Sequence, residues 1–81
     1  MIDVIVLSPG ATLFEGKARR VILPGEQGVF EVFQFHRPLV SRLLPGMVVV
    51  DDQPFLIKRG AVKVTRRSVM AIVEPAAARP G

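Results

Sequence analysis

Histidine can bind metals and transfer protons, and this chain of 81 residues contains one, His36. A transition-metal site needs several His, Cys or carboxylate ligands at suitable spacing, but the chain has no cysteine and no second histidine. His36 is therefore predicted to hydrogen-bond backbone groups and fix a loop, with contact to a partner protein as the alternative. Neither metal binding nor catalysis is predicted for it.

The other reactive residue types also lack the setting that catalysis needs. Asp51 and Asp52 are adjacent, and adjacent residues of a strand point to opposite faces, so this pair is predicted to form a turn and not an acid–base dyad. Residues 25–28, Gly-Glu-Gln-Gly, lack the lysine and the following helix of a phosphate-binding loop. No serine or threonine stands in the G-x-S-x-G setting of an activated nucleophile. The sequence predicts no catalytic residue, no cofactor and no metal.

The elements that would position these residues are short strands separated by turn signals. Residues 2–7 and 68–74 are apolar and rich in β-branched side chains, and residues 61–65 alternate with the period of two that is typical of a half-buried strand. Pro24-Gly25 and Pro45-Gly46 are predicted to form turns, with Gly25 supplying a positive φ. Eight or nine such segments predict an all-β sandwich or barrel, whereas no window has helical spacing of apolar residues.

The composition leaves two interpretations of the surface open. Hydrophobic residues make up 49% of the chain and the net charge is +4, with the cations scattered along the sequence. The scattered cations are interpreted as part of a solvated surface. The alternative is that the chain is a small basic β-barrel that binds single-stranded nucleic acid, with Phe30, Phe33 and Phe35 as stacking residues. Alternation separates Phe30 from the other two, and phenylalanine commonly fills a sandwich core, so the core interpretation is preferred.

Several segments in a fixed order resemble the signature of the F-type ATP synthase epsilon subunit. That family reads V-x-L-P-G-x-x-G-x-x-G-I-L-P-G-H-A-P-L, followed by L-x-P-G, and has an upstream L-F-x-G. The corresponding segments here are residues 13–16, 21–30, 36–40, 43–46, 59–64 and 68–74. The likeness extends over residues 2–74, and its order and spacing are more specific than any single segment.

The resemblance implies a sandwich of about ten strands over residues 1–74, followed by a flexible tail at 75–81. It implies a non-catalytic rotor subunit, on the cytoplasmic side of the bacterial inner membrane, that couples the gamma subunit to the membrane c-ring. No nucleic acid and no small-molecule substrate are expected as partners. Residues expected at the c-ring end are Glu26, Gln27, Gly28, Val29, Phe30, His36 and Arg37. Residues expected to define turns of the fold are Pro24, Gly25, Pro45 and Gly46.

The chain departs from the family in two places. The family's G-I-L-P-G before the histidine is replaced by Glu-Val-Phe-Gln-Phe at residues 31–35, and the alanine after the histidine is Arg37. Many members also carry a C-terminal helical hairpin, whereas this sequence ends at Gly81, which predicts a short form. A Pro-Gly turn has thus been exchanged for residues that favour extended structure and add aromatic bulk.

Overall fold

The computed structural model describes residues 1–76, and all of its regular structure is β-strand. The strands are β1 (Ile2–Ser8), β2 (Ala11–Ala18), β3 (Arg20–Gly25), β4 (Gly28–Phe33), β5 (Leu39–Leu43), β6 (Gly46–Val50), β7 (Gln53–Val64) and β8 (Ser68–Pro75). The predicted all-β class is confirmed.

The strands hydrogen-bond in the order β2-β1-β8-β7-β5-β3-β4, and β6 pairs with both β3 and β7. Among the strand pairs of residues 1–76, β1 and β8 are parallel and the others are antiparallel. Because β3 pairs with β5 and β6, and both of these pair with β7, four strands close a ring. The sheet thereby folds over itself into the layers of a sandwich.

The predicted number of ten strands is too high for the described residues, which form eight. The 12-residue β7 runs through Gly60, although a glycine within a strand pattern often marks an interruption. Its first half pairs with β6 and its second half with β5 and β8. A Cβ on Gly60 would lie 2.6 Å from the carbonyl oxygen of Ile72, so this glycine permits close pairing with β8 and does not end the strand.

One core fills the sandwich, and it is made by alternation. Val4 and Val6 on β1, and Val69, Ala71 and Val73 on β8, are buried at every second position. Such spacing sends all of these side chains to one face of a pleated strand. Among the described residues, no buried side-chain polar atom lacks a hydrogen-bond partner. Every buried hydrophobic side chain in the described part of the chain is aliphatic, so the core is aliphatic.

The turns differ in detail from their sequence-based prediction. Pro24 and Gly25 are the last residues of β3, and the positive φ of 118° belongs to Gly28. Gly25 has another role: a Cβ there would lie 2.7 Å from the ring of Phe30. Pro45 lies in the bend between β5 and β6, as expected, and Gly46 begins β6.

The sheet continues to the end of the part that the structure describes. Pro75 is the last residue of β8, and the amide of Ala76 donates to the carbonyl of Leu56 at 3.0 Å. The remainder of the predicted tail, residues 77–81, lies outside the described residues.

Candidate functional site

A cleft between β4 and β5 brings together all seven residues that were expected at the ring end. It has a volume of about 480 Å³. One wall is residues 25–30, and the other is formed by residues 36, 37 and 39–41. We call this the β4–β5 cleft. The strand order leaves β4 at an edge of the sheet, so its backbone is unpaired on the side away from β3.

The two apolar residues of the β3–β4 hairpin face opposite ways. Val29 is 73% exposed, whereas Phe30 is half-buried and packs against the core. The space for the Phe30 ring is provided by Gly25, which lacks a side chain at the point of contact. Of these two residues expected at the c-ring end, Val29 is therefore the more accessible to a partner.

The loop between β4 and β5 is held by backbone hydrogen bonds. His36 Nδ1 lies 2.7 Å from the carbonyl oxygen of Arg37. A carbonyl only accepts, so Nδ1 carries the proton in this contact. The His36 amide donates to the carbonyl of Phe33 at 3.2 Å, and the Phe35 amide to that of Arg66 at 2.7 Å. The predicted backbone-bonding role of His36 is confirmed.

The core interpretation of the three phenylalanines holds only for Phe30. Phe33 is 54% exposed and Phe35 is 61% exposed, and the latter adopts a φ of 68°. The guanidinium carbon of Arg67 lies 5.9 Å from the centre of the Phe35 ring, within cation–π range. Phe35, a non-Gly residue, thus adopts a left-handed turn conformation with its ring exposed, in the segment where the sequence departs from the family signature.

A second candidate surface lies on the outward side of β8 and its neighbours. Met70 is 46% exposed and Ile72 is 55% exposed. In the sheet register they lie beside Ile5 and Leu7 of β1, respectively, and Ile72 also faces Ala61 of β7. These five residues form the outer β8 face. Since the opposite side of β8 already faces the core, this strand is apolar on both faces, as a sheet covered by a partner would be.

Ion pairs border the outer β8 face at two places. Lys17 Nζ lies 2.7 Å from Asp3 Oδ1, and Arg59 Nε lies 2.7 Å from Glu74 Oε2. The hydrogen bond from Lys17 lowers the pKa of Asp3, and the hydrogen bond from Arg59 lowers the pKa of Glu74. All four side chains are well exposed, so each pair has only a small effect on stability.

Asp51 has a structural role that the sequence did not reveal. Its Oδ1 accepts hydrogen bonds from the backbone amides of Arg19, at 2.9 Å, and Arg20, at 3.2 Å. Asp51 itself adopts a φ of 51°, a conformation that Asp tolerates in turns. The carboxylate therefore ties the β6–β7 turn to the start of β3. Its turn setting could be recognised in the sequence, but its partner 31 residues away could not.

The described residues contain no group of three or more His, Cys, Asp or Glu side chains placed to hold a metal ion. Within residues 1–76 no helix is long and apolar enough to cross a membrane. The β4–β5 cleft offers a partner a concave surface with charged residues, and the outer β8 face offers it an exposed apolar area.

Comparison with known proteins identifies a family. Residues 1–79 match the model of the β-sandwich domain of the ATP synthase Delta/Epsilon chain. The ATP synthase epsilon chain of Rickettsia bellii is 34% identical over 93% of this chain and 76% of its own length. The epsilon chain of Sulfurimonas denitrificans is 33% identical over 94% of this chain and 62% of its length.

Two solved structures share the fold. A chain in the mitochondrial ATP synthase of Euglena gracilis, solved with OSCP, F1 and the c-ring, superposes with a TM-score of 0.83 at 17% identity, over 94% of this chain and 52% of that one. A chain of the central stalk and c-ring of the Tetrahymena thermophila enzyme gives 0.75 at 15% identity, over 90% and 63%.

The match is to one part of the relatives. This chain spans about half the length of the Burkholderia orbicola ATP synthase epsilon chain 2, with which it is 33% identical. The part in common contains all eight strands and both candidate surfaces. The chain belongs to the family of ATP synthase Delta/Epsilon chains, as their β-sandwich domain.

Proposed function

We propose that this chain is a non-catalytic central-stalk subunit of an F-type ATP synthase, and that it couples the gamma subunit to the membrane c-ring while ions drive ATP synthesis. The observation that carries the proposal is the outer β8 face, an exposed apolar area on a sheet whose other side is already a complete core. Family membership indicates which assembly would cover it.

The outer β8 face is assigned to gamma. Met70 and Ile72 are each about half exposed, and their parallel pairing with β1 places Ile5 and Leu7 beside them. Burial of such side chains stabilises an interface by roughly 25 cal/mol per Å² of apolar area before the costs of association are subtracted. A permanent contact that transmits torque benefits from broad apolar area, because slippage would expose that area to water.

The β4–β5 cleft is assigned to the c-ring. It places exposed Val29 beside Glu26 and Arg37, neither of which has an ion-pair partner within residues 1–76. Val40, which is 75% exposed, lies on the other wall of the cleft, so two exposed apolar side chains stand near charges of both signs, and this suits the polar loops of a ring. The contact would be smaller and more polar than the one with gamma.

The remaining structure suits a mechanical part. Paired strands hold residues 2–75 in one sheet that closes on itself, and bending such a sheet would break ladder hydrogen bonds. Since the domain would act by holding two partners in register, it needs stiffness more than reactive groups, and catalysis would belong to other subunits. The subunit would be peripheral, on the cytoplasmic side of the bacterial inner membrane.

Cysteine crosslinking tests both assignments, because the natural chain has no cysteine. Val29→Cys should crosslink to the ring and Ile72→Cys to gamma in the assembled complex. Leu56→Cys is the control, since Leu56 is as exposed as Ile72 but lies outside both surfaces. Failure of the position 72 variant to reach gamma, with success from position 56, would overturn the gamma assignment.

A second candidate function is binding of single-stranded nucleic acid. It is favoured by the exposed rings of Phe33 and Phe35 and by Arg67 stacked on the latter. Such binding would weaken steeply with salt. Oligonucleotide affinity that falls with salt and is lost in Phe35→Ala would support it, whereas co-purification with ATP synthase subunits supports the rotor function.

A further inference from the structure

The two flanks of the outer β8 face carry different charges. On the β7 and β5 side, Lys63 lies opposite both Met70 and Val40, and Arg42 lies opposite Ala61. Neither cation has an ion-pair partner within the described residues. On the β2 side, Glu15 lies opposite Ile5 and is also without such a partner there.

The width of the apolar strip indicates what covers it. Its main residues lie on β1 and β8, and neighbouring strands are about 4.8 Å apart, so the strip is roughly 10 Å wide. An α-helix with its side chains is about 10–12 Å across. One face of a helix recurs about every 5.4 Å along its axis, which is of the same order as the roughly 6.7 Å between Ile5 and Leu7 along their strand.

We propose that the gamma segment on the outer β8 face is an amphipathic helix with carboxylates on the flank beside Arg42 and Lys63. On the opposite flank, beside Glu15, the helix carries neutral or basic residues. This inference rests on the proposed gamma contact and adds the chemistry that sets its orientation. A helix docked the wrong way round would place its carboxylates against Glu15 and leave both cations without partners.

The two cations are placed to act together. Since Val40 pairs with Lys63 and Arg42 with Ala61, Lys63 and Arg42 are diagonal neighbours on one face of an antiparallel pair. Diagonal neighbours are about 7–8 Å apart at Cα, within reach for long side chains. Both are exposed and at the rim of the strip, where charge speeds encounter and fixes register more than it adds affinity.

The test measures association of this chain with the purified gamma subunit of the same complex at two ionic strengths. The double reversal Arg42→Glu/Lys63→Glu should slow association about tenfold or more near 50 mM salt, and the difference should shrink at high salt. Arg42→Met/Lys63→Met should fall between the reversal and the natural chain. Arg19→Glu, a single charge reversal on the β2–β3 connection and away from this face, should change the rate less than about twofold.

Two results separate this inference from the contact on which it rests. If the double reversal behaves like Arg19→Glu while Ile72→Glu still weakens binding strongly, gamma uses this face without an acidic flank and the inference is overturned. If Ile72→Glu also binds normally, the gamma contact itself lies elsewhere and the proposed assignment fails.

Discussion

The outer β8 face and the β4–β5 cleft are built in opposite ways. The face consists of side chains at alternate positions of fully paired strands, so its shape follows from the ladder. The cleft borders an edge strand and depends on Gly25, Gly28 and a loop whose Phe35 amide donates to the carbonyl of Arg66. The fold of a surface built on paired strands should tolerate changes of its outward side chains, but not a substitution that pushes the paired backbones apart. A surface built on turns depends on a few residues.

The largest effect should come from placing a charge in the middle of the outer β8 face. Ile72→Glu is expected to weaken gamma binding by roughly 3 kcal/mol, because it buries a carboxylate among apolar side chains at an anchor position. The fold should be retained, since Ile72 is 55% exposed. Calorimetric titration with gamma measures the loss. Leu56→Glu, at an equally exposed site off this face, should bind normally, and an equal loss there would contradict the comparison.

Two glycine substitutions should compare how strongly folding stability depends on backbone contacts at the two surfaces. Gly60→Ala places a Cβ 2.6 Å from a backbone oxygen of β8, which cannot move without disturbing the ladder. Destabilisation of about 2–3 kcal/mol is expected in urea unfolding. Gly25→Ala should cost less, about 1–2 kcal/mol, because the Phe30 ring can shift.

Gly16→Ala is the control for both glycine variants. Its Cβ would only reach ordinary contact, 3.7 Å from the ring of Phe14. A larger loss of stability in Gly25→Ala than in Gly60→Ala would reverse the ranking of the two surfaces.

A smaller effect is expected at the cleft. Val29→Glu should reduce ring binding by about 1–2 kcal/mol, since Val29 is the exposed apolar residue of the β3–β4 hairpin, while Arg37→Ala should cost less than about 1 kcal/mol as a solvated rim charge. ATP-driven ion pumping in membrane vesicles measures the coupling. If Arg37→Ala proves the more damaging, the ring contact is mainly electrostatic and the proposed anchor is incorrect.

The smallest effect concerns the ion pairs at the border of the outer β8 face. Because Arg59 lowers the pKa of Glu74 in the folded state, the pair stabilises the fold above the usual Glu pKa of about 4.3. That contribution is lost as pH falls through the lowered pKa. The melting temperature of Glu74→Gln should therefore lie slightly below that of the natural chain at neutral pH and converge with it in acid. A constant difference at every pH would exclude this ion pair as the cause.

The sequence alone determined the strand class, the buried stripes and the family. Alternation in residues 61–65 and the double-faced apolar pattern of residues 68–74 follow from the pleat, which assigns side chains to faces before any partner strand is known. The ordered L-P-G and H-x-P-L segments carried the family likeness. They also led to the seven residues that now line the β4–β5 cleft.

The tertiary structure decided which aromatic rings are buried and which strands are neighbours, because the local sequence pattern does not specify either. Phe30 packs against the core, where Gly25 leaves space for its ring, whereas Phe35 is exposed in a loop whose backbone is bound to Arg66. In the sequence alone Gly60 resembles a break between two strands, but β8 pairs with residues on both sides of it, so β7 is continuous. The unequal flanks of the outer β8 face exist only because distant strands are neighbours, since the register of a sheet is a property of strand pairs and not of one segment.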